Sequence, residues 1–203
     1  MYVVVRKYAG KGGLLDGLAP RVRDGLVPIL RQAPGFKRYC AFASEDGHLV
    51  SVSVFDDRPT ADAANAKVRA WVAAELRDAL PDPLEVLAGK LRRELSGQAQ
   101  GGAEGLYVVV RDYDGVRSIE QLTALADEHV LPVIRHAPGL RVHYTFTSGQ
   151  EQGRVAAVSM FGSRENAVRV SDRVVGIMRE RAKDVAPNPP RVTAGEAVVA
   201  ARA

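Results

Sequence analysis

YVVVRKYAG occupies residues 2–10, and YVVVRDYDG occupies residues 107–115. Working outward, VPILRQAPG at residues 27–35 returns as LPVIRHAPG at 131–139, and LVSVSVF at 49–55 returns as VAAVSMF at 155–161. All three matches keep one order at an offset of about 105 residues, with small slips where loops gain or lose residues. Chance resemblance does not preserve such collinearity, and a period this long is a whole domain rather than a solenoid unit of roughly 20–50 residues. The chain therefore reads as a first unit at 1–95, a small polar Gly-rich linker at 96–105 (SGQAQGGAEG) and a second unit at 106–203. Ten such residues reach roughly 30 Å when extended, enough to set the second unit face to face with the first.

Each copy yields the same order of elements. The β-branched opening run is a strand, ended in the first copy by the turn at residues 10–13. Leu14, Leu15, Leu18, Val22, Leu26, Ile29 and Leu30 then make a helical apolar stripe over residues 14–32. Pro28 falls inside it and Pro132 takes the matching place, so a kink or break is expected there. Pro34-Gly35 and Pro138-Gly139 end the helix and turn the chain.

Strands at 36–44 and 48–56 follow, joined through Asp46-Gly47, a pair suited to a tight hairpin; the second copy has a longer polar loop at 148–153. Asp57 and Ser163 are N-cap residues for a second helix. Its apolar positions recur at three and four, as in Ala61, Ala64, Val68, Trp71, Val72 and Leu76. Prolines at 81–83 and 187–190 end it, and residues 84–91 and 191–199 read as a closing strand. The order is β-α-β-β-α-β twice, an α+β fold of two ferredoxin-like units.

The composition narrows the function. Charged residues make up 26% of the chain and the net charge is only +4, with Lys and Arg scattered among acids. No basic patch of the kind that grips phosphates is visible, so nucleic acid is not an expected partner. No apolar run approaches the ~20 residues of a membrane span, so no membrane is expected either. The chain enters its first strand at Tyr2 without a signal-peptide pattern, and Cys40 is the only cysteine, so a cytoplasmic location without disulfides is expected. No phosphate-binding glycine motif, nucleophile elbow or metal-binding cysteine pair appears, and no cofactor is expected.

On the opening strand YVVVRKY, the APGF and APGL turns and the valine-rich LVSVSVF, the chain resembles the dimeric α/β-barrel superfamily, and within it the antibiotic-biosynthesis-monooxygenase-like group. The resemblance covers both copies. It implies two ferredoxin-like sheets pressed into a barrel with the helices outside, here from one polypeptide: a monomer with an internal pseudo-dimer, or a homodimer. The superfamily includes cofactor-independent oxygenases on aromatic polyketides, haem-degrading and chlorite-dismutating proteins, isomerases and ligand sensors, so the fold does not name the reaction. Haem-degrading members use an Asn, a Trp and a His. Trp71 lies on the second helix as a Trp does there, but no His follows it on that helix and Ile177 replaces it in the second copy. Trp71 reads as core.

Strand alternation sorts the remaining candidates. Val3 and Val5, with Val108 and Val110, are assigned to the helix-facing side. Tyr2, Val4, Arg6 and Tyr8, echoed by Tyr107, Val109, Arg111 and Tyr113, are assigned to the sheet junction. Arg6 and Arg111 then become candidate clamps for an anion or enolate, in competition with structural ion pairs, because a lone buried guanidinium is costly. Tyr39 and His143 hold equivalent hairpin positions beside Cys40 and Tyr144, and Tyr39, His143 and Tyr144 are candidate ligand-binding or proton-handling groups. Cys40 has no adjacent base and reads as a small apolar residue. His129, His136 and His143 suggest a zinc set by number alone, but Pro132 interrupts the spacing and no supporting motif accompanies them, so no metal is expected.

Three functions remain open. One is a cofactor-independent monooxygenase-like or isomerase-like enzyme on a conjugated or aromatic substrate. Another is a small-molecule binding or sensing module without turnover, and the third is a structural or assembly role. A cavity of ligand size near Arg6, Arg111, Tyr39 and His143 separates the first two from the last.

Overall fold

In the computed structural model the residues described are 1–97, 105–149 and 153–203. Most of the expected linker (98–104) and part of the polar hairpin loop (150–152) lie outside them. Eight strands form: β1 (Tyr2–Tyr8), β2 (Phe36–Ala43), β3 (Leu49–Phe55), β4 (Glu85–Ser96), β5 (Tyr107–Tyr113), β6 (Leu140–Thr147), β7 (Val155–Phe161) and β8 (Arg191–Arg202). They are hydrogen bonded in the order β1-β3-β2-β8-β5-β7-β6-β4, a closed antiparallel barrel. Closure leaves no strand with a bare edge.

The chain divides into two compact units, residues 1–90 with 196–203, and residues 91–195. The division differs from the sequence repeat at two strands. β4 gives residues up to Lys90 to unit 1, where they pair with β1, and residues from Leu91 to unit 2, where they pair with β6. β8 gives residues from Glu196 to unit 1, where it pairs with β2. Both closing strands run longer than their sequence pattern suggests, to Ser96 and Arg202.

In unit 1 the first helical stretch comprises α1 (Leu15–Arg21), a π turn at Val22–Leu26 and α2 (Val27–Arg31). Unit 2 repeats it as α4 (Ile119–Leu125), a π turn at Ala126–Val130 and α5 (Leu131–Arg135). The expected kink or break at Pro28 and Pro132 takes this form. Proline has no N–H to return to the preceding turn, and its ring crowds the carbonyl four residues back. Widening the turn relieves both, so that Val27 N–H reaches the Val22 carbonyl and Leu131 N–H reaches that of Ala126.

The second helices are α3 (Arg58–Glu75) and α6 (Arg164–Arg181). Asp57 caps α3 by accepting from the Thr60 N–H at 2.9 Å, and the Thr60 hydroxyl accepts from the Asp57 N–H in return. Ser163 caps α6 more loosely, at 3.4 Å from the Asn166 nitrogen.

Each unit has a core between its sheet and its helices. In unit 1, Val4, Tyr8, Tyr39 and Phe55 pack with Leu15, Leu18, Leu26, Leu30, Ala61 and Leu76. In unit 2, Val109, Tyr113 and Phe161 pack with Leu122, Val130, Ile134, Val170, Val174 and Met178. This reverses the expected facing of the opening strands, because Val4 and Tyr8 meet the helices rather than Val3 and Val5. Val3 and Val5 are buried as well, on the other face. With both faces dry, the alternation of polar and apolar residues that would tell them apart is missing.

Trp71 packs against the unit 1 core, as its sequence context predicts. Its indole lies over Gly25 in the π turn, where a Cβ would come within 2.6 Å of the ring. Only a residue without a side chain fits under it.

Candidate functional site

The helix-facing side of unit 2 carries a partly open, narrow cavity of about 630 Å³, its mouth included. The walls are mostly apolar, from Ile119, Leu122, Val130, Ile134, Val174 and Met178, with Arg111, Tyr113, His143, Arg93 and Asp127 supplying polar groups.

Arg111 comes from β5 and is 1% exposed. Its Nη2 donates to Ser159 Oγ at 2.7 Å and its Nη1 to Ser171 Oγ at 3.2 Å. No carboxylate pairs with it among the described residues, and its Nε–H is buried without a partner. The acid next to it in sequence, Asp112, points away and is held by Arg154 and Arg191. Burial lowers the Arg111 pKa from its ordinary value, and the neighbouring Tyr113 partly opposes this. Two neutral hydroxyls thus support a full charge with which no carboxylate pairs among the described residues.

His143 comes from β6 and is also 1% exposed. Its Nδ1 lies 2.9 Å from Ser159 Oγ, while its Nε2 is buried with no partner. Burial first, and the Arg111 charge second, push its pKa down to about 3, so the ring is neutral. Ser159 Oγ accepts from Arg111 Nη2 and meets His143 Nδ1, donating to it in one tautomer and accepting from it in the other. Arg111 Nε and His143 Nε2 are thus two buried nitrogens without partners among the described residues, on residues that line the cavity. With the proton on Nε2 both are donors, an arrangement suited to one oxyanion or polarised carbonyl oxygen.

The other sequence candidates fall elsewhere. Tyr144 follows His143 on β6 and so projects from the opposite face, away from the cavity lining. Arg6 and Tyr39 belong to unit 1, on that unit's own helix-facing side, so the two arginines do not meet at one sheet junction. Arg6 is 9% exposed and has no hydrogen bond or ion pair among the described residues. Burial lowers its pKa, and the phenols of Tyr8 and Tyr39 partly offset that. Tyr39 is fully buried and its phenol is held protonated well above the ordinary range. Burial likewise pushes the Cys40 thiol up to about 12, which leaves it unreactive. His136 Nδ1 contacts the Pro132 carbonyl at 2.8 Å and His129 sits beside Glu128. Among the described residues no three His, Cys, Asp or Glu side chains converge as a metal-binding set.

Sequence reading missed Ser159, Ser171, Arg93 and Asp127. The serines were visible as polar letters inside VAAVSMF and the apolar stripe of α6, where a hydroxyl has no structural duty. The mouth residues carried no such signal.

No protein-family model matches the chain, and a search of curated proteins gives no match. Solved structures do match over nearly its full length. An anthrone oxidase-like protein aligns with 99% of this chain and 92% of its own at 13% identity and TM-score 0.67. A candidate monooxygenase from Fusobacterium nucleatum subsp. nucleatum aligns with 99% and 94% at 10% identity and TM-score 0.75. Another from Lactobacillus acidophilus aligns with 99% and 95% at 11% identity and TM-score 0.70. The protein therefore has the dimeric α/β-barrel, ferredoxin-like fold, built as a tandem fusion of two units.

Proposed function

We propose that unit 2 binds a small planar organic molecule with an enolisable or phenolic oxygen and places that oxygen between Arg111 and His143. The supporting observation is a pair of buried nitrogens, Arg111 Nε and His143 Nε2, without partners among the described residues, on residues lining an apolar cavity; the reading takes the His143 tautomer with its proton on Nε2. A neutral imidazole N–H polarises a carbonyl without giving up its proton. The adjacent charge stabilises the enolate left when water or hydroxide at the open mouth takes the α-proton. An enolate is itself electron-rich, so reaction with dioxygen, or reprotonation at another carbon, needs no redox group from the protein. This is cofactor-independent monooxygenase-like or isomerase-like chemistry, and it accords with the anthrone oxidase-like and monooxygenase-like relatives in fold.

A second reading, binding or sensing without turnover, is favoured by one observation. His143 is a poor proton acceptor, and Asp127, the cavity's carboxylate, is tied to Arg93.

Anthrone, an enolisable tricyclic ketone, tests both. Titration without oxygen, read by enolate absorbance, is expected to show binding that weakens about tenfold or more in Arg111→Met. Oxygen uptake on admitting air supports the enzyme; binding without uptake supports the sensor. Affinity unchanged in Arg111→Met would overturn the site.

A further inference from the structure

The mouth of the cavity carries charge as well as its floor. Arg92 and Arg93 both line it, although consecutive residues on a regular strand face opposite ways. The register explains this. Leu91 pairs with Phe146 and Arg93 with Thr145, so Arg92 is the extra residue of a β-bulge, a device that re-aims side chains. Unit 1 has the same bulge at the matching place. There Ala41 pairs with Val199 and Phe42 with Ala197, leaving Val198 extra, and both Val198 and Val199 turn into the apolar core. The scaffold thus aims two neighbouring side chains at the helix-facing side in both units. In unit 1 they are valines, and in unit 2 they are arginines.

Arg93 is occupied. Its Nε and Nη2 hold the Asp127 carboxylate of the π turn at 3.1 and 2.6 Å. Both side chains are more than a third exposed, so the pair contributes little stability and exchanges readily for another carboxylate. Three arginines against one acid leave the cavity lining with an excess of positive charge at both ends.

Resting on the proposed oxyanion site, we infer that the ligand carries a second acidic group, a carboxylate, received at the mouth by Arg92 and Arg93 in place of Asp127. The substrate class is then an enolisable keto acid: an apolar body with the oxygen to be polarised at the inner end and a carboxylate at the outer end. Planar carboxylates match the guanidinium fork, and the reach between mouth and floor selects for length.

4-Acetylbenzoate and its methyl ester test this, because both carry an enolisable ketone at the end opposite the carboxyl group and only one carries the charge. Calorimetric titration of the wild-type chain is expected to favour the acid at least about fivefold. In the Arg92→Met/Arg93→Met double variant the preference falls to near one. In Asp127→Asn, which removes the competing carboxylate, the acid binds more tightly and the ester is unchanged; this single surface change serves even where the double variant does not fold. Arg111→Met weakens both compounds alike. If the acid's preference survives in the double variant, or Asp127→Asn leaves the acid's affinity as it was, the mouth is not a carboxylate site, while the Arg111 reading stands on its own result. If Arg111→Met changes neither affinity, that reading falls instead. If the wild-type chain binds neither compound, both fall.

Discussion

Units 1 and 2 descend from one pattern and have spent it differently. Their cores share a plan: Phe55 and Phe161 are both fully buried, each second helix starts from a side-chain cap, and both π turns precede a proline. Their helix-facing polar residues do not match. Where unit 1 has Tyr39, Gly25 under Trp71, Asn65 and a bulge of valines, unit 2 has His143, His129 with Ile177, Ser171 and a bulge of arginines. The difference teaches that the scaffold tolerates a buried cation in both halves, and that in unit 2 hydroxyls, an imidazole and a cavity gather around it.

The largest expected effect probes what the units share. Phe55→Ala and Phe161→Ala should each cost about 3–5 kcal/mol in urea unfolding, and by similar amounts. A markedly smaller loss in one would show that the two cores are not equivalent. Next comes the point of divergence. Arg111→Met should raise stability by about 1–4 kcal/mol, since it removes a buried charge without an ionic partner. Arg6→Met, at a more exposed site, should raise it less. Reversal of that order would mean that Arg6 is the more strained cation. Stability gained by deleting Arg111 is also what a residue kept for a ligand predicts.

The smallest effect is one of pH. His143 has a folded pKa near 3 against an ordinary value of 6.5. Below 6.5 the unfolded chain takes up a proton that the folded chain refuses, so stability is full above that pH and falls as pH drops towards 3. Between pH 6.5 and 5 the loss should be roughly 2 kcal/mol. His143→Phe should flatten that part of the profile. The Tyr39 site in unit 1 contributes nothing there, because a phenol does not titrate in that range. An unchanged acid limb in His143→Phe would assign the proton elsewhere.

The repeat made the topology legible, because a β-α-β-β-α-β pattern written twice constrains the fold more than either copy alone. Caps at Asp57 and Ser163 and the core position of Trp71 were legible for local reasons. The facing of β1 and β5 was not. Every residue of β5 is buried, so parity leaves no trace in its composition. Arg111 and His143 stood out as costly residues in dry strands, yet their meeting depends on Ser159, which is a register fact. The arginine pair at the mouth depends on one extra residue in β4, and a bulge has no sequence signature in a run such as EVLAGKLRRELS.

The split of β8 also governs the order in which the molecule can be made. Residues 196–203 complete unit 1, where they hydrogen bond to β2. On a ribosome, residues 1–90 emerge first, but the β2 edge at Arg38, Cys40 and Phe42 stays open until Ala203 has been synthesised. Through all of that time the nascent chain holds an apolar strand edge, a template for joining another chain. Finishing the first half last gives this fold a long loop to close and a window in which chaperone protection matters most.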